Sequence, residues 1–238
     1  MKIALIGYGK MGKEIEKIAL ERNHEIVLKI DVNSVNEFTL DNLKNADVAI
    51  EFTRPETAFE NYKKCFEADL PVISGTTGWL EKKHELEKIV LDQNKTFFYA
   101  SNFSIGVNIV FKVNELLAKL MNKQTQYFTQ ITEIHHIHKL DKPSGTAVTL
   151  AEQIIEESTN LKSWTLDNYD NYDELPIFSK REGEVPGTHI ITYDSEEDSI
   201  SLIHEAKNRK GFALGAVLAA EFSIDKKGIL SMNDLFKL

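Results

Sequence analysis

Ile3-Ala4-Leu5-Ile6-Gly7-Tyr8-Gly9-Lys10-Met11-Gly12 is the stretch that decides the fold of this 238-residue chain. Ile3 to Ile6 is a short apolar run, which predicts a buried strand. From Lys10 to Glu21 the apolar residues Met11, Ile15, Ile18 and Ala19 recur at helical spacing, which predicts a helix. Between the two lies G-x-G-x-x-G. A second strand is predicted over Glu25 to Ile30. Asp31 closes it, at about the 20-residue distance that a dinucleotide-binding unit requires. Gly7 serves the tight turn, Gly9 lets backbone N–H groups approach a pyrophosphate, and Gly12 allows close helix–strand packing. The helix N-terminus adds partial positive charge. Gly7, Tyr8, Gly9, Lys10, Met11 and Gly12 are therefore candidate cofactor-binding residues. Asp31 is the candidate acceptor for ribose hydroxyls.

Outward from this stretch, strands and helices alternate. Strands are predicted at Asp47–Phe52, Pro71–Ser74 and Lys95–Tyr99, with helices at Glu56–Ala68 and Leu80–Leu91. Such alternation argues for a parallel sheet covered on both faces. Gly75, Thr76 and Thr77 follow one strand, and Ala100, Ser101, Asn102 and Phe103 follow another. In open α/β sheets ligands bind at the carboxyl ends of strands, so both loops join the cofactor candidates. The pattern then changes. Helices are predicted at Val107–Met121, Thr146–Glu157 and Phe212–Phe222, and strands at Phe128–His136, His189–Tyr193 and Ser199–His204. Residues 161–174 are polar and tyrosine-bearing, and are expected to form an ordered surface excursion or loop. The expected fold class is α/β: an N-terminal Rossmann-type, doubly wound parallel sheet, then a smaller α+β domain with a mainly antiparallel sheet. Residues 1–106 and 209–238 are assigned to dinucleotide binding, and 107–208 to substrate binding and oligomerisation.

Within the second domain, Glu133-Ile134-His135-His136-Ile137-His138-Lys139-Leu140-Asp141-Lys142-Pro143-Ser144-Gly145-Thr146-Ala147 places three histidines and a lysine in five positions. Histidine gives and takes protons near neutral pH, and lysine adds a proton and a positive charge. Ser144-Gly145-Thr146 follows Pro143 at a predicted helix start, where N–H groups and hydroxyls can cradle a carboxylate. Ser144 also suits the N-cap position. A metal site is not expected: no cysteine is near, and no H-E-x-x-H helix is present.

The segment from Glu133 to Ala147 resembles the signature of the 4-hydroxy-tetrahydrodipicolinate reductase (dihydrodipicolinate reductase) family. The resemblance extends over the glycine loop, Glu51-Phe52-Thr53, Gly75-Thr76-Thr77, Ala100 to Phe103, and Arg181-Glu182-Gly183-Glu184-Val185-Pro186-Gly187-Thr188-His189. It implies that His135 is a proton donor and acceptor, Lys139 a proton donor, and His136 a substrate contact. Gly145 and Thr146 would hold a substrate carboxylate, with Ser144 beside them. It further implies NADH or NADPH as hydride source, a small dicarboxylate substrate, and a cytoplasmic homotetramer joined through the sheet of the second domain. The chain departs from the commoner family pattern in a compressed segment after Asp31, a compact glycine loop, and no basic residue directly after Asp31. Asp31 disfavours the 2′-phosphate of NADPH, while Lys10 can reach it. NADH use is expected, with NADPH use alongside. Roles for Glu133, His138, Arg181 and His189 do not follow from the resemblance.

Two other functions are compatible with such a fold: a non-catalytic cofactor sensor, and a dehydrogenase of a different substrate. The first sits poorly with the presence of His135 and Lys139, the second with a cradle built for carboxylates. The net charge of -9 disfavours nucleic-acid binding. Cys65 is the only cysteine, which excludes an intrachain disulfide and fits a reducing compartment. No apolar run reaches the roughly 20 residues of a membrane span. The opening residues, interrupted by Gly7, Gly9 and Lys10, do not read as a signal peptide.

Overall fold

The computed structural model describes residues 1–168 and 171–237. The chain forms two compact units, Met1–Ile105 with Arg209–Leu238, and Gly106–Asn208.

The first unit contains β1 (Lys2–Ile6), α1 (Lys10–Glu21), β2 (Glu25–Ile30), α2 (Leu40–Leu43), β3 (Val48–Glu51), α3 (Pro55–Glu67), β4 (Val72–Ser74), α4 (Lys83–Asp92) and β5 (Thr96–Tyr99). The chain returns to it with α7 (Lys210–Ser223), β11 (Gly228–Leu230) and α8 (Met232–Phe236). All pairings in this sheet are parallel, in the order β11-β5-β4-β3-β1-β2. Alternate residues of each inner strand feed different cores, as the period of two requires. Ala4, Ile6, Ala49, Val72 and Phe97 enter one. Ile3, Leu5, Val48, Ile50, Ile73 and Phe98 enter the other, which α1 and α7 cover. Both faces are buried, so these strands carry continuous rather than alternating apolar runs. Gly215 lets α7 approach closely: a Cβ there would stand 1.8 Å from the carbonyl oxygen of Phe103. Arg22 clasps Glu221 of α7 in a bidentate ion pair at 2.8 Å. The short β11 and α8 are absent from the sequence reading. A three-residue strand that begins with Gly228, and a five-residue helix, are too short for periodicity to register.

The second unit contains α5 (Ile105–Met121), β6 (Phe128–His135), α6 (Gly145–Glu157), β7 (Ser163–Leu166), β8 (Glu174–Arg181), β9 (Thr188–Asp194) and β10 (Ser199–Glu205). Its sheet runs β10-β9-β6-β8-β7. The β9–β10 and β6–β9 pairs are antiparallel as expected, but β8 runs parallel to both β6 and β7. The sheet is thus mixed. The difference arises where a loop is expected: within 161–174 lies the edge strand β7, followed by β8 (Tyr169 and Asp170, in the same stretch, lie outside the described residues). Pro176 masks β8 in the sequence, because proline in a strand argues against one. α6 packs its Ala147, Leu150, Ala151 and Ile154 onto Ile131, Leu175, Ile177 and Ile191 of the sheet.

Candidate active site

In the first unit the sequence-predicted residues gather at the carboxyl ends of four parallel strands. Gly7 to Gly12 join β1 to α1, Asp31 follows β2, Gly75 to Thr77 follow β4, and Ala100 to Phe103 follow β5. β2 and β3 lie on opposite sides of β1, so the sheet order reverses there and opens the crevice in which α/β folds bind ligands. The glycines fit a dinucleotide. Gly7 has φ +102°, and a Cβ there would lie 2.0 Å from the carbonyl oxygen of Phe52. A Cβ on Gly12 would lie 2.4 Å from the carbonyl oxygen of Gly7. A Cβ on Gly9 would meet no atom within 4 Å, so its backbone is open to a pyrophosphate. A Cβ on Gly75 would stand 2.2 Å from the Phe52 ring. The Asp31 carboxylate accepts from the Asn33 amide at 2.7 Å, which shapes its own turn. Lys10 is exposed. The Tyr8 hydroxyl donates to Glu16, which is paired with Lys29 at 2.5 Å.

Several candidates serve the framework through their side chains. Phe103 is buried against Phe52 and Phe98. The Thr76 hydroxyl donates to the buried Glu51 at 2.9 Å, and accepts from the Thr53 amide at 2.8 Å. Asn102 accepts the Ser104 amide at 2.8 Å. Glu51 is named by sequence reasoning only as part of the resemblance and is given no role. It also accepts from Ser74, which is bonded to Tyr62, and from Thr53, so it ties the turns after β3 and β4 together. Burial pushes its carboxyl up, against the bonds from Thr53, Thr76 and Ser74.

The second unit assembles its candidates on one face of its sheet. Along β6 the buried positions are Ile131, Glu133 and His135, two apart and hence on one side. The register extends each into a row across neighbouring strands. Ile177, Ile131 and Ile191 form the lowest row. Ser179, Glu133 and His189 form the next, and Arg181 pairs with His135 above it. The face thus changes from apolar to ionisable within two residues of each strand, where α6 begins.

Glu133 is the centre of this polar patch and is fully buried. It accepts from the Ser144 amide at 3.1 Å, from the Ser179 hydroxyl, and from Arg181 at 3.2 Å. His135 Nδ1 lies 3.2 Å from its Oε2. Burial opposes its ionisation, but the close approach of His135 and the bonds from Ser144 and Ser179 outweigh that and hold the carboxyl well below the usual range. His189 sits edge-on to His135, with ring centroids 5.1 Å apart, and its Nε2 lies 3.2 Å from the Ser144 hydroxyl. Burial, with His135 beside it, pushes His189 down to about 3, so it is neutral. One carboxylate oxygen of Glu133 and one nitrogen each of His135 and His189 lie within 4.8 Å of one another, the one metal-compatible set among the described residues. Arg181 already neutralises that carboxylate.

Beyond β6 the chain turns through His136 to Lys139, whose amide bonds the His136 carbonyl at 3.1 Å. The Lys139 ammonium pairs with Asp141 at 2.8 Å, and Arg181 donates to the carbonyls of Lys139 and Asp141. His138 turns outward to Glu184. Ser144 caps α6 by accepting the Ala147 amide, as expected of that position. A Cβ on Gly145 would meet nothing within 4 Å, so the first turn of α6 is open to an anion. Glu133, Ser179, Arg181 and His189 are the residues sequence reasoning leaves without a role. The i, i+2 spacing of Glu133 and His135 on a strand is the signal for the first of them.

Comparison with known proteins adds three findings. The family model described as dihydrodipicolinate reductase, N-terminus, matches residues 1–103, and that described as dihydrodipicolinate reductase, C-terminus, matches residues 106–236. A 4-hydroxy-tetrahydrodipicolinate reductase of Christiangramia forsetii is 50% identical over 239 residues, covering 99% of this chain and 97% of its own. One from Staphylococcus saprophyticus is 35% identical, covering 99% and 100%. Among solved structures, dipicolinate-bound dihydrodipicolinate reductase from Paenisporosarcina sp. TG-14 superposes with a TM-score of 0.80 at 24% identity over 98% of each chain. An amine dehydrogenase from Mycobacterium smegmatis reaches 0.61 at 10% identity over 99% of this chain and 95% of its own. Both likenesses speak to the fold.

Proposed function

Since this chain belongs to the dihydrodipicolinate reductase family, we propose that it reduces 4-hydroxy-tetrahydrodipicolinate to tetrahydrodipicolinate with NAD(P)H, on the diaminopimelate route to lysine. One substrate, one NAD(P)H and one proton give the product, the oxidised cofactor and water. The observation that carries the reading is the placing of His135, Lys139 and the open first turn of α6 in one short arc, inside a chain half identical to a reductase.

Gly7 to Gly12, Asp31, Gly75 to Thr77 and Ala100 to Phe103 would hold the cofactor. When bound, its nicotinamide supplies the hydride. The chain's own residues do the rest. Reduction of a conjugated imine leaves electron density that a proton must meet, and His135 and Lys139 are the donors for it. Ser144, Gly145 and Thr146 would fix a carboxylate at the start of α6, with His136 as a further contact. The charge of Lys139 favours a dianionic substrate.

A cytoplasmic homotetramer fits this reading. Among the described residues no helix is long and apolar enough to cross a membrane. Cys65 is a buried free thiol. The edge strand β10 exposes Ile200 and Ile203, which a second copy would cover. Light scattering of the purified protein tests the assembly.

The function is tested by following NADH and NADPH oxidation with the substrate made in situ by its synthase. Turnover with either cofactor is expected, falling by roughly 100-fold or more in His135→Gln and Lys139→Ala. Tight cofactor binding with no turnover would instead identify a sensor.

A further inference from the structure

The arc from β6 to α6 leaves one question of chemistry open: which ring nitrogen of His135 does the work. The geometry points to Glu133 as a positioning residue that holds the His135 proton on Nδ1 and leaves Nε2 to exchange protons with the substrate, with Gly187 keeping that nitrogen accessible. This rests on the reading of His135 given above and goes beyond it.

Three observations carry the assignment. Nδ1 lies 3.2 Å from Oε2 of a carboxylate that is fully buried. The approach is at ion-pair distance and falls short of hydrogen-bond geometry, and the buried Nδ1 has no other partner among the described residues. Facing an ionised carboxylate, which can only accept, hydrogen on this nitrogen is attracted and a lone pair is repelled. Glu133 stays ionised because Arg181, Ser179 and the Ser144 amide all donate to it, chiefly at Oε1. The Coulomb field of Glu133 thereby favours the Nδ1–H tautomer of neutral His135, with the lone pair on Nε2. The protonated ring then carries its transferable proton on Nε2.

Gly187 supplies the second observation. It has φ +153°, and a Cβ at this position would stand 3.0 Å from His135 Nε2. Any other residue would press on the nitrogen assigned to proton transfer. Glycine leaves it open. The third observation is His189. Its ring packs edge-on against His135 and is neutral, so it braces the imidazole without repelling a positive charge on it. Glu133 and His189 also both bond Ser144, one at the amide and one at the hydroxyl. The same carboxylate therefore sets the proton donor and the start of the proposed carboxylate cradle in one frame.

The test is a long-range proton–nitrogen correlation spectrum of the 15N-histidine-labelled protein, with His135 assigned by loss of its signals in His135→Gln. At a pH where the ring is neutral, wild type should show a protonated Nδ1 and an unprotonated Nε2. Glu133→Gln retains an acceptor for the Ser144 amide but no longer dictates the tautomer. It should show a mixture, with kcat lowered by about 100-fold and KM for the substrate changed far less. Gly187→Ala should keep the Nδ1–H tautomer and still lose kcat. A wild-type His135 carrying its proton on Nε2 would overturn the assignment, and that measurement needs only the folded wild-type protein. So would a folded Glu133→Gln protein with unchanged tautomer and kcat. Failure of wild type to turn over would count instead against the proposed reaction.

Discussion

The backbone amide of Ser144 donates to both carboxylate oxygens of Glu133, at 3.1 Å each. This contact joins the residue just before α6 to a strand residue eleven positions earlier. It uses the amide, so it survives any side chain at 144. The Ser144 hydroxyl is left for two other partners, the Ala147 amide at 3.3 Å and His189 Nε2 at 3.2 Å. The proposed anion cradle is thus held by main chain on one side and by a cap on the other.

Ser144→Ala separates the two. Loss of the cap should cost about 1 kcal/mol of stability. The His189 contact is lost with it, and KM for the dicarboxylate should rise. The amide bond to Glu133 stays, so His135 keeps its frame and kcat should fall less than KM rises. Urea unfolding and steady-state kinetics check both. A normal KM in a destabilised protein would confine Ser144 to capping.

Gly7 and Gly9 look equivalent in the sequence motif, but the structure separates them. Gly7→Ala combines a positive φ with a Cβ 2.0 Å from a backbone oxygen. It should destabilise the protein by about 3 kcal/mol, from backbone strain plus overpacking. Gly9→Ala meets no atom within 4 Å. Its stability should stay within about 0.5 kcal/mol of wild type, while affinity for NADH falls at least about tenfold. Thermal denaturation and fluorescence titration of NADH distinguish the two. Normal NADH binding by Gly9→Ala would argue that the cofactor's phosphates lie elsewhere.

The parallel sheet is legible in the sequence because its physics is local. A strand buried on both faces must be apolar throughout, so Ile3–Ile6, Val48–Ile50 and Val72–Ile73 announce themselves. The glycine loop is legible for a similar reason, since its φ and its contacts demand Gly7 and Gly12. β8 is not legible, because Pro176 contradicts a strand locally and only pairing with β6 and β7 supports it. Histidines and lysine make the segment from His135 to Lys139 conspicuous. Glu133 is not, because a carboxylate in a strand usually faces water. Its partners Ser179, Arg181 and His189 arrive from strands 46 to 56 positions later, through a register that no local pattern records. Phe103 shows the converse: it lies in a loop at the right place, yet its ring belongs to the core.

Asp31 should set cofactor choice. Its carboxylate is exposed enough to meet a ribose, and no cation neutralises it in the structure's ion pairs among the described residues. Asp31→Ser removes a charge that opposes a 2′-phosphate. At surface dielectric, removing one such repulsion is worth about 1 kcal/mol or more. The ratio of kcat/KM for NADPH to that for NADH should therefore rise by roughly fivefold or more. Lys10→Ala should lower the same ratio if Lys10 reaches the phosphate. An unchanged ratio in both variants would place the selectivity outside this loop.

Acid should destabilise the second unit in two steps, and His189 is responsible for the first. Burial, then the charge of a protonated His135, lowers its affinity for protons, with His204 and Lys139 acting in the same direction and Glu133 opposing them. Its ordinary value is 6.5, and the fold brings it to about 3. Between those limits the unfolded chain binds a proton that the folded chain refuses. Stability is therefore complete above about pH 6.5 and declines as pH falls toward 3, by about 1 kcal/mol per pH unit. Glu133 has the same sign in a lower window: its carboxyl is depressed from 4.5, so the stability it confers is present above that pH and lost on further acidification. His189→Asn keeps a side chain able to bond Ser144 but does not titrate. Between pH 7 and pH 5 it should lose about 2 kcal/mol less than wild type, the gap should keep widening to about pH 3, and only below that should the two lose stability in parallel. Urea unfolding across this range measures the difference. Identical losses in both proteins from pH 7 to pH 5 would mean that His189 is free to protonate in the folded state.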